Sequence, residues 1–115
     1  MTFQDERISS DGTRTDHLAE WLEVTLGPRL VAYAIGVTPS EVCRYAQGEE
    51  PGAEIETRLR NLYTATWFIA STDGPGTAHD WLMQPNPELE NHTPADLLRG
   101  GESPAPTWFN VARVY

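Results

Sequence analysis

Three groups of residues in this chain have types and spacings that could do chemistry. The first is Thr38, Ser40, Glu41, Arg44 and Gln47, spread over a short stretch that begins at a Thr-Pro pair. Arg and Gln pair bidentately with guanine and adenine edges in the major groove, and Glu can accept from cytosine N4. The backbone N–H groups that open a helix there would suit a phosphate. The second is Cys43, in the same stretch. A reactive thiol needs an electropositive, accessible site; a helix N-terminus helps only slightly, and the expectation is an inert cysteine. The third is His79-Asp80, which resembles a catalytic base and its partner only on paper. Neighbours on a helix point about 100° apart, so His79 reads as a surface histidine.

The remaining chemistry is sparse. His17, His79, His92 and one cysteine do not make a structural zinc site. No phosphate-binding loop or nucleophile elbow appears. Trp67 and Trp81 read as core pieces, and His92 lies near a helix start without chemistry. The expectation is a protein that is not an enzyme and has no catalytic residue, no metal and no cofactor.

Composition narrows the partners. The chain has 115 residues, 8 basic and 17 acidic, for a net charge of −9. That length suits one domain, or one small domain with an arm. Hydrophobic residues make up 39% of it, with four Trp, four Tyr and three Phe, enough for a modest core. Phosphates repel a surface of this sign, which argues against bulk attraction to nucleic acid or anionic membrane, so DNA binding must be local, or depend on dimerisation or a partner. A single cysteine excludes an internal disulfide. No run approaches the ~20 apolar residues of a membrane span, and residues 1–16 lack the apolar centre of a secretory signal. The expected compartment is a reducing cytoplasm, with no membrane partner.

The elements that must position these residues read as all-α. Residues 1–14 are polar and form an expected flexible arm. A helix is predicted from about Thr15 to Leu26, where Leu18, Trp21, Leu22 and Thr25 share one face. Gly27-Pro28 ends it. Arg29 to Ile35 reads as a short helix that Gly36 breaks, and Pro39 to Gln47 as the next, with Thr38 as cap and Glu41 completing a capping box. A longer helix is predicted over about 54–72. Ile55, Leu59, Leu62, Thr66 and Ile69 form its stripe, widened by Tyr63, Trp67 and Ala70. Asp73-Gly74-Pro75-Gly76 is the strongest punctuation and the expected boundary between a region over 15–72 and one over 77–115. Three short helices are predicted beyond it: Thr77 to Met83, one opened by Thr93-Pro94 and closed by Gly100-Gly101, and one from Pro106 or Thr107 to Tyr115.

Two short helices around Gly36 have the layout of a helix-turn-helix. Ala32 is small where the helices cross, Gly36 suits a φ > 0 turn, Val37 packs inward, and Val42 and Tyr45 fill the core side. The five residues named first would then face outward as candidate DNA contacts. The same pattern also fits a plain α-hairpin. From Leu30 to Arg60, three basic residues meet five acidic ones, so the shape is better supported than tight DNA binding by the monomer.

The second half is more specific. Trp81-Leu82, Pro85-Asn86, Leu89, Pro94 and Leu97-Leu98 describe a helix end, a stiff turn, a leucine plug and a capped helix. At this spacing the string resembles the toxin-binding domain of Xre/MbcA/ParS-type antitoxins, a family whose plan also includes an upstream helix-turn-helix. The chain departs from many relatives in having Asn91-His92 where they have Gly, and in its short, Pro-interrupted end. The resemblance implies an antitoxin that binds a cognate RES-domain toxin, an NAD-consuming or NAD-using enzyme, and blocks its active site. It also implies repression of the operon's own promoter. The string residues are then toxin-binding candidates, joined by Trp108, Arg113 and Tyr115 in the aromatic-rich end. A dimer suits operator symmetry. Two rival readings remain: a stand-alone helix-turn-helix regulator without a toxin, and a small helical adaptor.

Overall fold

Helices in this chain end where glycine and proline force them to, and those corners set the fold. The computed structural model describes residues 14–109. They form α1 (Thr15–Leu26), α2 (Pro28–Ile35), α3 (Pro39–Ala46), α4 (Ala53–Asp73), α5 (Pro75–Met83) and α6 (Pro94–Arg99), with 3-10 turns at Pro87–Leu89 and Pro106–Phe109. No strand occurs among the described residues, which carry an isolated bridge between Asn86 and His92. The all-α expectation holds. Of the expected arm over residues 1–14, all but Arg14 lies outside the described residues; Arg14 is the N-terminal cap position of α1 and pairs with Asp16 at 3.2 Å. The expected last helix, from Pro106 or Thr107 to Tyr115, lies outside the described residues beyond Phe109, and its described part, Pro106–Phe109, is a 3-10 turn.

Two helices begin earlier than the sequence suggests. α2 starts at Pro28 instead of Arg29, and α5 at Pro75 instead of Thr77. Both prolines occupy the first helical position, where the missing N–H has no intrahelical partner to lose and the fixed φ is already helical. Each follows a glycine, Gly27 or Gly74, with φ near +90° (91° and 94°). The punctuation that reads as a long break is therefore a one-residue corner. At its far end α3 stops at Ala46, and Gln47 is its C-terminal cap.

The corner between α2 and α3 is more constrained. Gly36 adopts a left-handed conformation, φ 81° and ψ 35°. Its N–H and that of Val37 both return to the Ala32 carbonyl, at 2.8 and 3.0 Å. A Cβ on Gly36 would also meet Arg58 Nη1 at 3.1 Å, because that guanidinium reaches over the corner to the Ile35 carbonyl (3.3 Å). α3 then opens with the predicted capping box. Thr38 Oγ1 accepts from Glu41 N–H at 3.2 Å, and the Glu41 carboxylate accepts from Thr38 N–H at 2.9 Å. Val42 and Tyr45 are buried, as their spacing predicts.

One continuous core joins both sides of the Gly74 corner. Leu22 of α1, Ile35 of α2, Val42 of α3, Leu59, Leu62 and Ile69 of α4, Leu82 of α5 and Leu98 of α6 are all wholly buried in it. α4 packs against α1, α2, α5 and α6. Trp67 departs from expectation: it is 51% exposed. Ala65, Thr66 and Ile69 turn inward, and Trp67, one residue past Thr66, is rotated about 100° to the outer side. Trp81 is buried as expected.

Two outcomes follow from this packing. Leu98→Ala leaves a cavity at the far end of the shared core and should cost about 2–5 kcal/mol. Urea unfolding followed by far-UV circular dichroism and by tryptophan fluorescence should stay one coincident transition; separate transitions would mean that the two sides fold independently. Gly36→Ala should destabilise by about 1 kcal/mol or more, since alanine pays for φ > 0. An unchanged urea midpoint would contradict the left-handed corner.

Candidate functional site

The outward surface of α3 presents Thr38, Ser40, Arg44 and Gln47 to solvent, with Glu41 half-buried. The charges on this surface are already engaged. Thr38 and Glu41 close the capping box. That bond to the Thr38 backbone holds the Glu41 carboxyl below its ordinary value. Arg44 Nε lies 3.1 Å from Glu49 Oε1, and Nη2 lies 3.9 Å from Glu41 Oε2. Arg58 pairs with Glu54 and Arg60 with Glu56, each at 2.8 Å. Arg60 also donates to Thr15 Oγ1 at 2.9 Å, tying α4 to the start of α1. The guanidinium groups nearest α3 thus spend their charge on carboxylates of the same chain. Cys43 Sγ donates to Glu23 Oε2 at 2.9 Å, and this bond, with burial second, raises the thiol pKa. The group is held as a neutral thiol, the opposite of nucleophile activation.

The Trp81-to-Leu98 string is mostly interior. Trp81, Leu82, Asn86, Leu89, Pro94 and Leu98 are buried, Leu97 is half-buried, and Pro85 is exposed. Trp81 stacks on Phe109 with ring centroids 5.5 Å apart, and Phe109 meets Phe68 of α4 at 4.4 Å. Trp108 is buried beside them. Arg113 and Tyr115 lie outside the described residues.

Asn86 organises the turn. Its Oδ1 accepts from Glu88 N–H (2.9 Å) and its Nδ2 donates to the Trp108 carbonyl (3.2 Å). Its backbone carbonyl accepts from Leu89 and Asn91, and its N–H donates to the His92 carbonyl. A buried side-chain amide needs such partners. Here they bind the loop to the segment after α6. Thr93 Oγ1 caps α6 by accepting from Asp96 N–H at 3.1 Å, as predicted.

A further cluster escapes sequence reasoning because its members are more than 60 residues apart. Tyr33 of α2 donates its hydroxyl to Asp96 of α6. Arg99 Nη1 donates to the Tyr33 carbonyl at 2.7 Å, and its guanidinium lies 4.7 Å from the Tyr33 ring centroid. One tyrosine is thus fastened to α6 through its hydroxyl, its ring and its backbone. The hydroxyl bond is the largest cause holding the Asp96 carboxyl below its ordinary value, and it raises the Tyr33 pKa in turn. The depressed carboxyl contributes stability that is present above the unfolded aspartate pKa, near ~4, and is lost as pH falls through the folded value. The raised phenol contributes stability below about pH 10 that is lost on further raising the pH. In Tyr33→Phe, the Asp96 carboxyl should titrate closer to an ordinary aspartate, with Thr93, His92 and Arg99 leaving a residual depression. Carboxyl-carbon NMR measures this directly, and an unmoved Asp96 would show that the hydroxyl bond is absent in solution.

No curated protein matches the chain, and no solved structure does. No helix among the described residues is long and apolar enough to cross a membrane. Residues 67–104 match the family model of the antitoxin Xre/MbcA/ParS C-terminal toxin-binding domain, and this match, which contains the whole Trp81-to-Leu98 string, supports an antitoxin of the Xre/MbcA/ParS type with a toxin as its partner.

Proposed function

We propose that this protein neutralises a RES-type, NAD-consuming toxin by stoichiometric occlusion of its active site, and represses its own operon with the toxin's help. The observation that carries the reading is the toxin-binding family match over 67–104. Cationic groups at its mouth complement the two phosphates in a pocket that receives NAD, and a partner of net charge −9 is drawn to such a mouth. The buried string residues Trp81, Leu82, Asn86, Leu89, Pro94 and Leu98, with Trp108, act by fixing the backbone that meets the toxin. Pro85 and the outer part of Leu97 make direct contact. Arg113 and Tyr115 enter the toxin pocket.

The α2–α3 pair serves as the helix-turn-helix, with Ser40, Arg44 and Gln47 toward the bases, and Thr38 and Glu41 fixing the helix start. Arg44 must leave Glu49 to read a base, and the neighbouring arginines are paired. The chain alone therefore binds operator DNA weakly, and a basic toxin supplies phosphate contacts. This argues against a stand-alone regulator.

Co-expression with a RES-domain protein from the adjacent reading frame should yield a complex of fixed stoichiometry and relieve that protein's growth arrest. Failure of both would end the antitoxin reading. Truncation after Ala112 should abolish inhibition; full inhibition by the truncated chain would remove Arg113 and Tyr115 from the site. Operator binding should be tighter and more salt-dependent with the toxin than without it, and equal affinity in the two cases would contradict the assisted-repression scheme.

A further inference from the structure

Between α2, α5 and α6 lies an open groove of about 490 Å³. Leu30 and Ala95, both buried, line its apolar base. Tyr33 and Met83 flank it with 45% and 53% of their surface exposed, and Arg29 and Asp96 stand at the polar side. Scattered apolar side chains on a surface are ordinary. Two of them around one concavity with a buried apolar base make a contact site, and a methionine at the end of α5 can adapt its shape to a partner.

We propose that this groove is a docking site for the toxin and that it receives an apolar side chain from a toxin surface with a basic rim. The proposal rests on the antitoxin reading. Two of the three walls, α5 and α6, belong to the segment that matches the toxin-binding family, so the groove continues the surface assigned to the partner. That segment has six acidic residues against the single Arg99, which complements a basic rim and speeds encounter. The groove is also preformed. Tyr33 is fastened to Asp96 and Arg99 across it, so docking need not order that wall, which lowers the entropic cost of binding. The third wall, Arg29, Leu30 and Tyr33 of α2, lies outside the matched segment. Toxin recognition therefore extends onto the first helix of the α2–α3 pair.

The test compares charge-matched variants of two exposed apolar residues: Met83→Arg in the groove and Val24→Arg on α1, where Val24 is 81% exposed. Binding to the RES-domain protein is measured by calorimetry, and thermal melts of the free variants establish that both fold. Met83→Arg should weaken binding by about tenfold or more, while Val24→Arg should stay within about twofold of the unaltered chain. Unaltered binding by Met83→Arg would overturn the groove assignment and leave the antitoxin reading standing. Equal losses in the two variants would also overturn it, because the effect would then be one of net charge. No binding by the unaltered chain would remove the antitoxin reading itself, and the groove proposal with it.

Discussion

α4 has to serve two neighbourhoods at once, and that requirement shapes the rest of the molecule. In a chain of 115 residues the apolar content is modest, and small domains bury too little surface to support two separate cores. α4 packs against α1 and α2 on one side of the Gly74 corner and against α5 and α6 on the other. Leu59, Leu62, Ala65 and Ile69 are wholly buried along it. The segment that matches the toxin-binding family is consequently not an appendage to the α2–α3 pair. Its leucines complete the core on which α2 and α3 rest.

Local chemistry explains which parts of this arrangement are legible in sequence. Caps and corners depend on residues within four positions of each other, so Thr38 with Glu41, Thr93 with Asp96, and the left-handed Gly36 can all be read directly. Residue type alone is less informative about burial. Trp67 has the composition of a core residue, but the rotation of α4 is fixed by Leu59, Leu62 and Ile69 and turns it outward. The Tyr33–Asp96–Arg99 cluster is invisible in sequence for another reason. It exists only once α2 and α6 meet across the core, and no local pattern encodes that meeting. Asn86 is intermediate: the Pro85-Asn86-Pro87 triplet marks a turn, whereas the bond to the Trp108 carbonyl depends on tertiary packing.

The same distinction applies to electrostatics. A count of charges gives −9, which already opposes phosphate binding. The structure sharpens this by showing how the positive charge is used. Arg44, Arg58 and Arg60 sit beside Glu49, Glu54 and Glu56, and Arg99 is stacked on Tyr33. Pairs of this kind, each with its carboxylate open to solvent, contribute little stability. Their consequence for recognition is larger, because each guanidinium that turns to a phosphate must first release its carboxylate. Arg29, at the groove, makes no ion pair among the described residues.

α2 is central to how partner binding and DNA binding would be related. Its Tyr33 lines the groove, and three residues later Gly36 sets the direction of α3. Two proposed sites bordering one short helix invite an allosteric account, but allostery requires an element with two arrangements that each ligand prefers differently. The contacts around α2 oppose such bistability. Arg99 holds its middle through the Tyr33 carbonyl, Arg58 holds its last carbonyl, and a wholly buried Ile35 fixes its inner face. A helix fastened at successive turns transmits position and not a switch. On the proposed reading, the toxin changes operator affinity by adding phosphate-neutralising charge to the assembly, while the α2–α3 corner keeps the geometry that Gly36 and Arg58 give it.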